Sequence, residues 1–324
     1  MLTAGDLIAQ AAQDSHAPLY LAQGLLKLNT ILDELCFKHN FSGARADYDF
    51  TLAPFTTTVG GITNFGGPYP LPLDYLRGSE SHGTEGIQYA FWYVYMGVPY
   101  PLRPWDLGKL DMMVQQAGIQ TFPYGYATDM APGTTAADRI AGTTTASMVL
   151  GDLIINVAAN NGMVAGQGIA GQGIAPGTLI TSVTGTVIGV SLPAVGSFPS
   201  LSGARSASIW FGQSPKLYVY PGPANSFPAR YRYQRLMPPI QDTGVVPWFV
   251  DQAYLLERLT AELMVTTDDT RRVEMLKISH QRLGQYEIFE GDKTNRAQTV
   301  ILDNNRFGPG SNWGKLNNTK LIGW

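Results

Sequence analysis

Arg230, Arg232 and Arg235 interleave with Tyr231 and Tyr233. On a strand, Arg230 and Arg232 share one face while the two tyrosines share the other. Guanidiniums in that pattern form a basic stripe able to take a phosphate or a carboxylate partner. The same residues also fit a half-buried strand whose solvated face is charged. Asp47 and Asp49 pose the same question with opposite sign. They lie on one side of a second strand, where they could hold a cation or simply face water.

Other chemistry is thinner. Gly166, Gly168 and Gly171 match the spacing of a dinucleotide fingerprint, which needs a strand before it and a helix after it. Gly173, Pro176 and Gly177 follow and forbid that helix. Ser79-Glu80-Ser81-His82-Gly83-Thr84-Glu85 holds a nucleophile, a base and carboxylates, but adjacency in sequence does not create triad geometry. The four histidines, His16, His39, His82 and His280, are not spaced as a metal pair on a helix. Cys36 is the one cysteine, placed as a small buried hydrophobe, so no intrachain disulfide forms. No catalytic residue, cofactor or metal site is expected, and the chain is not read as an enzyme.

The composition bounds the partners. The 324 residues carry a formal net charge of −3, which excludes a generally basic nucleic-acid binder. Charged residues make up 15%, below the roughly 25% usual for globular chains. A surface with so few charges suits burial in an assembly. No secretion signal opens the sequence, and no apolar run approaches the ~18 residues of a membrane-spanning helix.

These residues need elements to hold them. Thr3-Ala4-Gly5-Asp6 reads as a capping box opening a short helix that carries Leu7, Ile8, Ala11 and Ala12. Leu21, Leu25, Leu28, Leu32 and Leu35 form the stripe of a second helix, ending near residues 37–40. Residues 47–52 and 87–96 read as strands, and 68–76 is extended. A helix is expected over 105–117, then extended chain to Asp129. Between Ala141 and Pro215 only Asp152 and Arg205 are charged, and short Thr/Val/Ile runs alternate with glycine. Within it Gly166–Ala170 repeats at once as Gly171–Ala175. Strands follow over 217–221 and 229–233. Pro247 opens a helix bearing Leu255, Leu256, Leu259 and Leu263, with Trp248 and Phe249 burying apolar area beside it as an anchor. Thr267, Asp268 and Asp269 cap a last helix that carries Val273, Leu276 and Leu283.

The fold class is α+β: a helical bundle with a small β region, plus an inserted all-β domain, sandwich- or barrel-like. Residues 1–133 and 213–290 form the core domain, 134–212 the insert and 291–324 an extended tail. The tail is polar, with Phe307, Trp313 and Trp324 set apart like anchors.

Pro70-Leu71-Pro72-Leu73-Asp74-Tyr75-Leu76, the Tyr220-Pro221-Gly222-Pro223 turn, the Arg230–Tyr233 strand and the segment from Pro247 to Leu255 come in a telling order. With Asp268-Asp269-Thr270-Arg271 after them, they resemble the head-to-tail adaptors of short-tailed bacteriophages, the tail accessory or tail tubular-like connectors. The resemblance covers roughly residues 1–133 and 213–300. It implies a homo-oligomeric, twelvefold ring in the virion, between portal protein and tail nozzle. Double-stranded DNA would pass through it without sequence recognition, and no membrane is involved. It further implies a tail docking on portal, for which Phe307, Trp313 and Trp324 are the candidates, and no catalytic residues. The alternative is a receptor- or carbohydrate-binding or decoration component of a virion, with the insert as its working part.

Overall fold

The computed structural model describes residues 3–16, 21–39, 41, 44–59, 62–79, 81–83, 86–116, 119–130, 141–202, 206–236, 240, 251–264 and 270–289. It is a mixed structure of helices and mainly antiparallel sheets, α+β as expected.

Five helices are described: α1 (Ala4–Asp14), α2 (Leu21–Lys38), α3 (Leu107–Gln116), α4 (Gln252–Leu263) and α5 (Thr270–Phe289). The capping box forms: Asp6 N–H donates to Thr3 Oγ1 at 3.1 Å, and Thr3 N–H donates to Asp6 Oδ2 at 3.2 Å. This satisfies donors that a helix start leaves open. Helices α1, α2, α4 and α5 share one apolar core, with Leu7, Ile8, Leu28, Ile31, Leu255 and Leu259 among its buried residues. Cys36 is buried in it with a free thiol. Val273, expected on the packed face of α5, is instead exposed, because Ser279 and Leu283 take the inward positions.

Helix α4 starts later than its sequence suggests. Its N-cap is Asp251, which accepts from Ala253 N–H at 3.1 Å. Pro247, Trp248 and Phe249 lie outside the described residues, as do Thr267–Asp269 and the tail with Phe307, Trp313 and Trp324.

Two sheets form the β part next to the helices. One is five-stranded, with Arg45–Leu52 at one end, then Phe227–Arg235, Phe91–Tyr95 and Val98–Pro101; Tyr75–Gly78 also pairs with Phe227–Arg235. The other runs Arg103–Pro104, Gly125–Asp129, Lys216–Tyr220, Tyr69–Pro70. Side chains from both meet in one core rich in tyrosine and phenylalanine, including Tyr48, Tyr69, Phe91, Tyr126, Tyr231 and Tyr233. Helix α3 packs on the second sheet through Leu110 and Val114 against Ala127 and Tyr220. The expected strand over 87–96 is split: Gly86–Gln88 pairs with Ser81–Gly83, and Phe91–Tyr95 joins the large sheet.

Residues 142–212 form a six-stranded sheet with its own apolar core, including Ile155, Ile169, Ile188, Ile209 and Phe211. It is one open sheet and not the two sheets of a sandwich. It curls until its end strands, Gly168–Gly171 and Ile180–Thr184, meet around a single bridge between Gly168 and Leu179. Ile169 N–H donates there to Thr178 O at 3.0 Å, and Ile180 N–H to Gln167 O at 2.8 Å. No helix follows the 166–171 glycine pattern, so the dinucleotide geometry is absent there.

Candidate functional site

The sequence-predicted stripe lies on the large sheet. Arg45–Leu52 pairs antiparallel with Phe227–Arg235 in a register that sets Asp47 opposite Arg232 and Asp49 opposite Arg230. Arg230 Nε and Nη2 donate to the Asp49 carboxylate at 2.5 and 2.8 Å. Arg232 donates likewise to Asp47 at 2.8 and 3.1 Å. Both are two-pronged pairs, the geometry a planar guanidinium favours. The Arg232 guanidinium also lies 5.6 Å from the Trp92 ring centre, within cation–π range.

The electrostatics follow from the pairing. The hydrogen bond from Arg232 holds the Asp47 carboxyl below its usual range, against the opposing effect of partial burial. Arg230 and Arg232 are pushed further up, mainly by their hydrogen bonds to Asp49 and Asp47. Tyr231 and Tyr233, on the opposite face, are buried, and desolvation raises both hydroxyls well above the ordinary tyrosine value. They are therefore neutral packing groups at physiological pH.

Arg235 does not belong to the stripe. It follows a register shift at Gln234/Arg235 and turns to the tyrosine side. There its Nε donates to Asp74 Oδ2 at 2.5 Å, while Tyr233 Oη donates to Asp74 Oδ1 at 2.7 Å. Asp74 is buried, so its charge needs both donors. Parity explains the departure, since residues 231, 233 and 235 share one side of a strand.

The three arginines thus meet three carboxylates. A phosphate could reach Arg230 or Arg232 only by displacing a bidentate carboxylate. The exposed face is a charge-compensated ladder and not a cationic groove. Asp47 and Asp49 are likewise engaged with arginines and do not converge as a pair on a cation.

Two further arginines, not singled out in the sequence, tie the elements together. Arg77 Nη1 donates to Phe37 O at 2.9 Å, and its Nη2 to Cys36 O and His39 O at 3.2 and 3.1 Å. It thereby satisfies carbonyls that the end of α2 leaves open. Arg258 on α4 reaches Glu262 at 3.1 Å, Glu34 of α2 at 3.6 Å and His280 of α5 at 3.3 Å. Apart from the i,i+4 pair of Arg258 with Glu262, neither role has a local sequence signature, because the other partners lie on other elements.

The remaining candidates do not assemble. His82 sits in the short hairpin Ser81–Gly83/Gly86–Gln88, opposite Ile87. Glu80, Thr84 and Glu85 lie outside the described residues. Among the described residues no group of three or more His, Cys, Asp or Glu could hold a metal ion. Among them, too, no helix is long and apolar enough to cross a membrane.

No known family model matches this chain, and no curated protein does.

Proposed function

We propose that this chain is a non-catalytic structural protein of a virion, a head-to-tail adaptor. Copies form a ring, twelvefold in the adaptor reading, between the portal protein and the tail nozzle. The ring extends the DNA channel, retains packaged DNA and seats the tail. Helices α1, α2, α4 and α5 act as the bundle of the ring wall, 134–212 as an inserted domain on its outside, and 291–324 as the portal-docking tail.

One observation carries this reading. Helices from the two ends of the chain, α1 and α2 against α4 and α5, share a single core, while residues 142–212 between them keep a separate one. Separate cores of this kind support the reading of a helical mount bearing a decoration. The compensated arginine ladder is in keeping with DNA that slides, since a free basic lining would hold phosphates. Exposed apolar side chains such as Leu26 at 70% and Phe37 at 59% suit burial between copies. Sugar recognition by the insert draws less support. Its described aromatic rings, Phe198, Trp210 and Phe211, are buried or half-buried, while its exposed apolar residues are aliphatic.

The test is to mix the full chain, and a version truncated at Asp292, with purified portal rings of the same virus and weigh the complexes. The full chain should add to portal in a fixed ring stoichiometry, and the truncated one should stay folded but unbound. Full-length protein that never binds portal would sink the adaptor reading. Equal binding by the truncated chain would sink the role of Phe307, Trp313 and Trp324.

A further inference from the structure

We propose that the free edge of the strand Arg45–Leu52 receives an added β-strand from another copy of this chain, supplied by its residues 298–302, Gln-Thr-Val-Ile-Leu. The proposal rests on the oligomeric reading above and names a contact within it.

The edge can be read from hydrogen bonds. A strand residue sends its N–H and C=O to the same side, and successive residues alternate. Arg232 N–H donates to Ala90 O at 2.7 Å, and Arg232 O accepts from Ser79 N–H at 2.9 Å. Residues 230 and 232 therefore face away from Arg45–Leu52, and Phe227, Ala229, Tyr231 and Tyr233 face toward it. Their register partners are Leu52, Phe50, Tyr48 and Ala46. Asp47, Asp49 and Thr51 consequently point their backbone N–H and C=O outward. This strand ends the sheet order, and among the described residues no backbone bond reaches those three groups.

The opposite edge is built differently. Leu102 N–H donates to Phe91 O at 2.9 Å, so in Val98–Pro101 the outward positions fall on Pro99 and Pro101. Proline has no N–H to offer, and that edge is closed to further pairing. Charged side chains are the other usual guard of an edge. Asp47 and Asp49 would supply it, but Arg232 and Arg230 draw both carboxylates across the ladder and neutralise them. One edge is blocked and the other is left able to accept a strand.

The occupant is read from the chain beyond α5. In residues 290–324, Thr299-Val300-Ile301-Leu302 is the only run of four β-branched or apolar residues. Such residues favour a pleated, half-buried strand. The run is uncharged, as a neutralised edge requires, and charged Arg296 and Asp303 flank it. Alternate residues of the added strand would cover Phe50, which is only half-buried at this edge although it stacks on Tyr48. This mode of recognition takes its affinity from the backbone and its selectivity from alternate side chains.

Mixing chains that each carry one added cysteine tests the contact. Full-length Thr51→Cys is oxidised with mass-tagged full-length chains carrying Thr299→Cys, Val300→Cys or Ile301→Cys, and Cys36 stays buried out of reach. Mixed disulfide dimers should form with a two-residue alternation along 299–301, in excess over a Gly185→Cys control. Mixed dimers no more abundant than the control would overturn the proposal, and so would a disulfide formed only within one chain when both cysteines share it. In the unlabelled protein Thr51→Pro removes just an outward N–H, and it should lower the oligomer mass. Should that variant misfold, Ile301→Pro makes the same test from the tail. An oligomer or portal complex whose mass survives both prolines overturns strand addition while leaving the adaptor reading intact. Failure to bind portal at all is a failure of that reading instead.

Discussion

Trp210 lies against Leu73 in a small cluster that also holds Ala170 and Leu236. The strand Ala207–Gly212 is thus buried on both faces. Ile209 and Phe211 point into the core of the 142–212 sheet, and Trp210 points out of it toward Leu73 and Leu236. Gly168 adds to the joint, since a Cβ there would meet Ser214 and Leu73. Residues 142–212 are thus packed against Leu73 and Leu236 through this strand.

Replacing 134–212 with a short Gly/Ser linker should leave the helical circular dichroism intact but expose Leu73. Soluble yield should be low and should recover when Leu73→Gln is added. A deletion that loses the helical signal would show that the insert is required for folding. In the whole protein, Trp210→Ala should cost about 3–5 kcal/mol in urea unfolding. Trp210→Phe should cost much less, because the indole N–H is buried without a partner.

Gly177 has φ of +78°, and a Cβ there would overlap the Tyr48 ring. Gly177→Ala should destabilise by about 1–3 kcal/mol. Gly185, at φ +61° with open space around it, is the control. Its alanine variant meets only the backbone cost, about 1 kcal/mol. Equal melting temperatures for the two would contradict the contact.

Arg235 is the charged donor to buried Asp74. Arg235→Met leaves that carboxylate with Tyr233 alone and should cost about 3–5 kcal/mol. Adding Asp74→Asn removes the stranded charge and should recover part of the loss. A double-mutant cycle without coupling would show that the pair contributes nothing together.

The Asp47 carboxyl is held below its ordinary value of 3.8 by Arg232. A depressed folded-state value means stability that is present above that ordinary value and is lost as pH falls through the folded one. Both side chains are partly exposed, so solvent screening limits the effect to about 0.2–1 kcal/mol. Asp47→Asn should therefore lower the melting temperature slightly at pH 7 and make no difference in strong acid. A deficit unchanged by acid would point to lost packing instead.

Much of this was legible in the chain. The Thr3/Asp6 capping box formed as read, Leu28, Leu32 and Leu35 of the α2 stripe are buried, and the charge-poor stretch after Ala141 is β, though as one open sheet. The face assignment of Arg230 and Arg232 against Tyr231 and Tyr233 also follows from strand alternation alone. The two-sheet aromatic core was less visible. Its strands are short and broken by proline, and tyrosine gives a weaker periodic signal than leucine. What the arginines do was not readable at all, because Asp47, Asp49 and Asp74 lie more than 150 positions away in the chain.

The duplicated Gly-Gln-Gly-Ile-Ala separates the two kinds of information most sharply. Sequence alone showed a loop with two copies of five residues; the structure buries the isoleucine of each, Ile169 and Ile174. Sequence could not determine their backbones. In the first copy Gly168 opens the strand Gly168–Gly171, paired with Ala207–Gly212; in the second the equivalent Gly173 turns at φ +74°. Identical residues carry identical local preferences, so the difference is decided by tertiary contacts. The first copy lies beside a strand edge that satisfies its backbone; the second leaves that edge after Gly171 pairs with Ile209 and Gln172 N–H donates to Ser208 O at 3.2 Å, and the chain then turns at Gly173.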